Sequence, residues 1–193
     1  MIAGIVLAAG LSRRMGRFKP LLPMDGERVL IEVVVDQVRE ALDRVLVVVG
    51  HRAGEIRTHL GARDVRLVEN PRFRDGMLSS VQCGIAAAGQ VEGYVLCLGD
   101  QPRVPPGLIA ALVDGARISD RGIALPVWEG RGGHPVYVAS RYREEILGLT
   151  GAEGGLRAVT RGHPADTVEV PAADATVLED LDTPSQYEKL RPR

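Results

Sequence analysis

Four short apolar runs, Ile2–Ala8, Val45–Val49, Val65–Val68 and Tyr94–Leu98, punctuate the first half of the chain. Each is rich in Val, Ile and Leu and bounded by glycine or charge, the pattern of strands covered on both faces. Between them, apolar residues recur at helical spacing: Leu30, Val34, Val38 and Leu42, then Met77, Val81 and Ile85, with a shorter helix over Ala53–Leu60. Strand alternating with helix predicts an α/β chain, a three-layer doubly wound domain with a mostly parallel sheet and right-handed crossovers.

The second half changes character. A helix is expected over Pro106–Ala116, followed by strand candidates Gly122–Trp128 and Pro135–Val138 around the glycine-rich turn Glu129–Gly133. That pair reads either as a long hairpin or as two strands placed apart. Helices over Arg141–Leu149 and Glu153–Thr160, a strand over Thr167–Val170 and a last helix over Pro184–Leu190 complete the order. With no internal repeat and no low-complexity tract, one domain spanning residues 1–193 is expected.

Composition narrows the class. The 193 residues are 45% hydrophobic, enough for a sizeable core. Lys plus Arg number 24 against 25 Asp plus Glu, so no net charge steers the chain to nucleic acid or to a membrane surface. No apolar run approaches the ~20 residues needed to span a bilayer, and Met1 leads into a strand without a basic leader, so a cytoplasmic location is expected. Cys83 and Cys97 lack CxxC or metal-ligand spacing and read as small core residues carrying free thiols.

Positive charge is instead concentrated locally, in Leu7–Pro23, LAAGLSRRMGRFKPLLP, directly after the first predicted strand. Such a loop offers backbone N–H groups and fixed cations to an anion, and phosphate is the natural guest. Gly10 and Gly16 are expected to allow backbone angles and close approach that a Cβ would block. Arg14 and Lys19 can meet phosphate oxygens as a fork and as a point charge. There is neither GxxxxGK[ST] nor GxGxxG here, so the P-loop and dinucleotide patterns are excluded. The alternative is a solvated surface loop, against which stand the flanking apolar residues Met15, Leu21, Leu22 and Pro23.

In an open parallel sheet, ligands bind at the carboxyl ends of the strands, so the loops after the first, third and fourth strands should converge. The fourth strand runs into LCLGDQPRVPP, which places Asp100 at its tip, suited to a divalent cation or to a turn before Pro102 and Pro105. Asp182, in LEDLDTPSQYEKL, reads as a second ligand or as a helix cap before Thr183 and Pro184, with Asp180 in reserve. In ENPRFRDGMLSSVQCGI, Ser79 and Ser80 stand at a helix start, where a hydroxyl bonds either the unpaired helix donors or a ligand. His134, in GRGGHPVYV, reads as a hydrogen-bonded surface histidine or as a base, and no Ser-His-Asp set suggests itself.

LAAGxSxRMGxxKxLLP, matched at Leu7, Ala8, Ala9, Gly10, Ser12, Arg14, Met15, Gly16, Lys19, Leu21, Leu22 and Pro23, resembles the nucleotide-binding signature of the MobA-like nucleotidyltransferases. Within that family, of nucleotide-diphospho-sugar transferase-like fold, the chain is most similar to the molybdenum cofactor cytidylyltransferases. The resemblance implies nucleotide contacts from Leu7, Ala8, Ala9, Gly10, Ser12, Arg14, Lys19, Ser80, Gly99 and Asp100, with Arg14, Lys19 and Asp100 catalytic. It implies Mg²⁺, or Mn²⁺ in its place, on Asp100 and Asp182. Acceptor contacts are implied at Gln101, Pro102, Gly133, His134 and Arg157; the family's GDxGxR-like element is matched by AEGGLR, Ala152–Arg157, with Ala152 for glycine and Glu153 for aspartate. The implied reaction moves CMP from CTP to the terminal phosphate of molybdenum-loaded molybdopterin and releases pyrophosphate, with a molybdoenzyme as client. Ala9, where the guanylyl branch carries glycine, favours CTP over GTP. The alternatives are a guanylyltransferase, a sugar-phosphate or other small-metabolite nucleotidyltransferase, and a non-catalytic molybdenum cofactor carrier.

Overall fold

The computed structural model describes residues 1–151 and 154–190. Along the chain these form β1 (Ile2–Leu7), β2 (Pro23–Asp25), β3 (Arg28–Val29), α1 (Leu30–Ala41), β4 (Arg44–Val49), α2 (Ala53–Leu60), β5 (Arg66–Glu69), α3 (Met77–Ala88), β6 (Gly93–Leu98) and α4 (Pro106–Ser119). The second half adds β7 (Ile123–Trp128), β8 (Arg131–Gly132), β9 (Val136–Ala139), α5 (Arg143–Gly148), α6 (Leu156–Gly162), β10 (Thr167–Pro171) and α7 (Pro184–Leu190). The main sheet has the order β10-β7-β9-β6-β1-β4-β5, with β8 folded onto β7.

The central strands β1, β4 and β6 read as nearly continuous apolar runs because both faces are covered. In β4, Val45, Val47 and Val49 pack into one core with α1, α2 and α4, while Leu46 and Val48 pack into the other with α3, α5 and α6. β6 divides the same way, Val95 and Cys97 to the first core and Tyr94 and Leu96 to the second, the two-residue period of a strand shared between two layers. The mixed, mostly parallel sheet with flanking helices is the architecture the apolar pattern predicts.

The hairpin alternative is the one realised in the second half. β9 runs antiparallel to β7, pairing Val138 with Ile123 and Tyr137 with Ala124, and antiparallel to β6 on its other side. Between them β8 turns back onto Val127 and Trp128. The small β2–β3 ribbon after the basic loop is too short to register as a hydrophobic period. α6 starts at Leu156, later than expected; Ala152 and Glu153 lie outside the described residues. Cys97 is buried, and burial pushes its thiol up to about 12. Cys83 is only half-buried, because α3 turns it to the margin of its core beside the Glu69 carbonyl rather than into the centre.

Candidate active site

The basic loop is fastened at both ends. Beyond the tip of β1, Ala8 N–H donates to Val48 at 2.9 Å and Ala9 accepts from His51 N–H at 3.3 Å, which buries both alanines at the strand end. The loop then turns through two left-handed positions, Ser12 at φ +52° and Gly16 at φ +68°. Ser12 Oγ accepts from Lys19 N–H at 3.0 Å and closes the turn, while Met15, Phe18, Pro20 and Leu22 are buried beneath it. A loop so anchored is not a solvated surface excursion. Gly16 has the conformation that glycine serves, but Gly10 differs from expectation: its φ is not left-handed, and a Cβ there would meet nothing within 4 Å. The space beside Gly10 belongs to the cleft rather than to the protein.

That cleft encloses about 370 Å³ at the carboxyl ends of β1 and β6. Leu7, Ala8, Ala9, Gly10, Ser12, Lys19, Ser80, Gly99 and Asp100 all line it, so the structure gathers nine of the ten residues expected to meet nucleotide. Gly99 closes the floor: a Cβ there would stand 2.7 Å from the Leu7 carbonyl oxygen. The tenth, Arg14, does not line the cleft, whereas its neighbour Arg13 does.

Lys19 is the electrostatic centre. Its side chain is 12% exposed, and its Nζ donates to Asp100 Oδ2 at 2.9 Å and to Asp182 Oδ1 at 2.6 Å. Arg14 reaches the other oxygen of Asp182, at 2.6 Å. Burial works against the ammonium, but the hydrogen bonds and charges of the two aspartates outweigh it and raise the Lys19 pKa above its usual 10.5. Two carboxylates on one ammonium form a compact set of hard oxygen donors.

Asp182 is free for this role because its neighbours cap the helix. Thr183 Oγ1 accepts from Gln186 N–H at 3.3 Å and Gln186 Oε1 accepts from Thr183 N–H at 2.8 Å, a capping box with Pro184 at the first helical position. Asp100 likewise is no cap, since α4 begins beyond Pro105. Asp180 stands aside from Lys19 and accepts instead from Gln101 Nε2 at 2.9 Å. Partial burial and the charges of Asp100 and Asp182 raise its carboxyl, against the Gln101 bond. Among the described residues no group of three or more His, Cys, Asp or Glu is assembled for a metal, so Asp100 and Asp182 are a two-carboxylate set.

The residues expected at the acceptor divide. Gln101 is 3% exposed and turned into the protein, donating to Asp180 and, at 3.4 Å, to the Val177 carbonyl. Pro102 is buried, with its carbonyl accepting from Gln37 Nε2 at 2.6 Å. Gly133 packs so closely on the segment leading to α7 that a Cβ would lie 2.2 Å from Val177 O. Gln101 and Gly133 clasp the C-terminal strap, residues 175–182, against the sheet, and Leu181 N–H completes the clasp by donating to Asp100 O at 3.1 Å. His134 is half-buried rather than on the surface, its Nδ1 without a partner. Burial, assisted by the charge of Arg157 and opposed by a hydrogen bond with the Leu96 backbone and the charge of Asp100, lowers its pKa. Arg157 is exposed near the start of α6.

The other wall of the cleft holds residues not expected there as ligand contacts, Phe73, Arg74 and Met77, and Asn70 is buried against Ser79 and Ser80. The loop after the third strand was expected here, but nothing in its composition says which side chains turn inward. Ser79 does not cap α3; its hydroxyl donates toward the carbonyls of Arg72 and Gly76, each at 2.8 Å.

The model of the MobA-like NTP transferase domain matches residues 4–168. The chain is 26% identical to the molybdenum cofactor cytidylyltransferase of Escherichia coli K12, over 95% of its own length and 92% of that protein's. It is 32% identical to a probable molybdenum cofactor guanylyltransferase of Mycobacterium avium, over 88% and 86% of the two chains. Among solved structures it superposes on a nucleotidyl transferase from Methanothermobacter thermautotroptrophicus with a TM-score of 0.85 at 28% identity, covering 99% and 96% of the chains. It also matches Rv0371C of Mycobacterium tuberculosis in complex with manganese, with a TM-score of 0.75 at 27% identity over 98% and 96%.

Proposed function

The chain belongs to the MobA-like NTP transferase family, and from that premise we propose that it transfers CMP from CTP to the terminal phosphate of molybdenum-loaded molybdopterin, releasing pyrophosphate. The observation that carries the reading is Lys19, poised between Asp100 and Asp182 where the basic loop meets the cleft.

An oxygen of the acceptor phosphate attacks the α-phosphorus in line; the new P–O bond forms as the bond to the β-phosphate oxygen breaks, and pyrophosphate leaves with the bonding electrons. A phosphate monoester has a second pKa of about 6, so the nucleophile arrives ionised and no strong base is needed. Negative charge accumulates on the phosphates and must be met by fixed positive charge in a partly dehydrated site. Lys19 supplies it from one side, Arg13 lines the cleft on the same loop, and Arg14 holds Asp182 in place. Asp100 and Asp182 are the residues that would hold a divalent cation, their hard carboxylate oxygens being suited to one. Mg²⁺, or Mn²⁺ in its place, would supply a further positive charge there, and the manganese complex of the structural relative supports divalent metal use.

The Ala9 methyl favours a pyrimidine, although one methyl is worth only about 1–3 kcal/mol of discrimination. The 32% identity to a protein named as a guanylyltransferase supports a second reading, with GTP in place of CTP. Pyrophosphate release with each nucleoside triphosphate and molybdenum-loaded molybdopterin tests both: turnover with CTP alone supports the first, with GTP alone the second. Release that requires a sugar phosphate, or none with any nucleotide, refutes the pterin reading. Among the described residues no helix is long and apolar enough to cross a membrane.

A further inference from the structure

Asn70 is the first residue beyond β5, 2% exposed, and its side-chain bonds are all internal. Its amide orientation is dictated by a backbone group. Arg72 N–H can only donate, so the atom facing it at 2.9 Å must be the Asn70 oxygen. The Asn70 nitrogen then faces Ser79 Oγ at 2.9 Å and Ser80 Oγ at 3.0 Å, with one proton for each.

The two serines differ in what remains to them. Ser79 gives its own proton to the carbonyls of Arg72 and Gly76. Ser80 cannot return its proton to Asn70, because an amide nitrogen accepts nothing. Ser80 also lines the cleft.

We propose that Asn70 is a positioning residue that fixes the Ser80 hydroxyl as a hydrogen-bond donor toward the cleft, so that the nucleotide group it meets must be an acceptor. The inference rests on the reading that this cleft takes CTP, and it names what is read there. Phosphate is drawn to Lys19 and Arg13 on the basic loop, whereas Ser80 shares its wall with Phe73, Arg74 and Met77, two apolar side chains and a guanidinium plane on which a base can stack. On cytosine the acceptors are the carbonyl oxygen O2 and the ring nitrogen N3, and Ser80 donates to that edge. A base edge presenting N–H at the same point would meet a second donor and be rejected.

Asn70→Asp keeps the size and the acceptor for Arg72 N–H but replaces both N–H donors with lone pairs, so Ser80 turns its proton back to the introduced carboxylate. Binding of CTP is measured by calorimetry, and KM and kcat by pyrophosphate release, for the wild type, Asn70→Asp, Ser80→Ala and the double variant. Each single substitution is expected to raise Kd and KM for CTP about tenfold, the loss of roughly one hydrogen bond, with kcat changed less than about threefold. The double variant should be no weaker than either single one, since all three lose the same bond. A role confined to folding would instead lower Tm without this KM-only loss. Ser80→Ala leaves Asn70 bonded to Ser79, so it remains informative if Asn70→Asp does not fold. Unchanged CTP affinity in Ser80→Ala overturns the proposal by itself, as does a folded Asn70→Asp variant that binds like the wild type. Failure of the wild type to bind CTP at all overturns the functional reading beneath it instead.

Discussion

Replacing Lys19 with Met removes one charge while keeping most of the buried stem, and two consequences should run in opposite directions. In the free protein the ammonium is shared between Asp100 and Asp182, at 2.9 Å and 2.6 Å. Unit charges about 4 Å apart interact by about 4 kcal/mol at an effective dielectric constant of 20, so the two carboxylates lose a substantial counter-charge. A divalent cation then has no ammonium to displace. Mn²⁺ affinity, read from the electron paramagnetic resonance of the free ion, is expected to rise or hold. Catalysis should move the other way. A preorganised group aimed at developing charge is worth about 10²–10³ in rate, or about 3–4 kcal/mol, so kcat for pyrophosphate release should fall by at least about a hundredfold at saturating metal. If Lys19 were only a structural counter-ion, the cation would replace it and the rate would survive. A kcat within about fivefold of wild type, or weakened Mn²⁺ binding in a folded Lys19→Met protein, refutes the reasoning. The pH dependence supplies an internal control. Because the folded pKa of Lys19 is raised, its contribution to stability is full below the unfolded value of 10.5 and is lost as pH rises through the higher folded value. Alkaline unfolding of the variant should therefore lack that part of the decline.

Three further substitutions probe the strap beside the site and, at Asp166, the opposite end of the sheet. Gly133→Ala places a Cβ 2.2 Å from Val177 O, so the strap carrying Asp182 must move; a raised Mg²⁺ requirement together with a Tm several degrees lower is expected, and an unaltered metal requirement refutes the clasp. Gln101→Leu abolishes both bonds to the strap and leaves the partly buried Asp180 without its donor; about 1–3 kcal/mol of stability should be lost in urea unfolding, and a loss below ~0.5 kcal/mol contradicts it. Asp166 accepts from Arg141, Gly122 N–H and the Tyr142 hydroxyl. Burial opposes the charged form, but these bonds hold the carboxyl down at about 2. Its stabilisation is thus present above the unfolded value of 3.8 and disappears as pH falls through about 2. Asp166→Asn should accordingly lower Tm near neutral pH and become indistinguishable from wild type in strong acid.

Hydrophobic periodicity and one long loop were legible before any coordinates. The strands β1, β4 and β6 are encoded locally, because a strand covered on both faces is apolar along nearly its whole length, and runs that short favour a strand over a helix. The basic loop was legible for a related reason: its glycines, cations and apolar anchors are contiguous, so LAAGLSRRMGRFKPLLP carries its chemistry within seventeen consecutive letters. Asp100 was legible as well, standing directly at the end of an apolar run.

What the tertiary structure decided is every relation between distant segments. Whether Asp182 caps α7 or pairs with Lys19 turns on Thr183 and Gln186 satisfying each other, which releases the aspartate toward the ammonium. Nothing in the letters GRGGHP says what Gly133 packs against, and the fold brings Val177 onto it. Arg13 and Arg14 are adjacent letters, yet one lines the cleft and the other grips Asp182, a division made by the turn between two left-handed residues. Asn70 carried no signal at all, since an asparagine after a strand is ordinary until its amide is seen between two serines. Burial patterns are properties of neighbouring residues and survive in the sequence, whereas hydrogen-bond polarity and charge pairing depend on where the chain returns, and only the folded molecule records that.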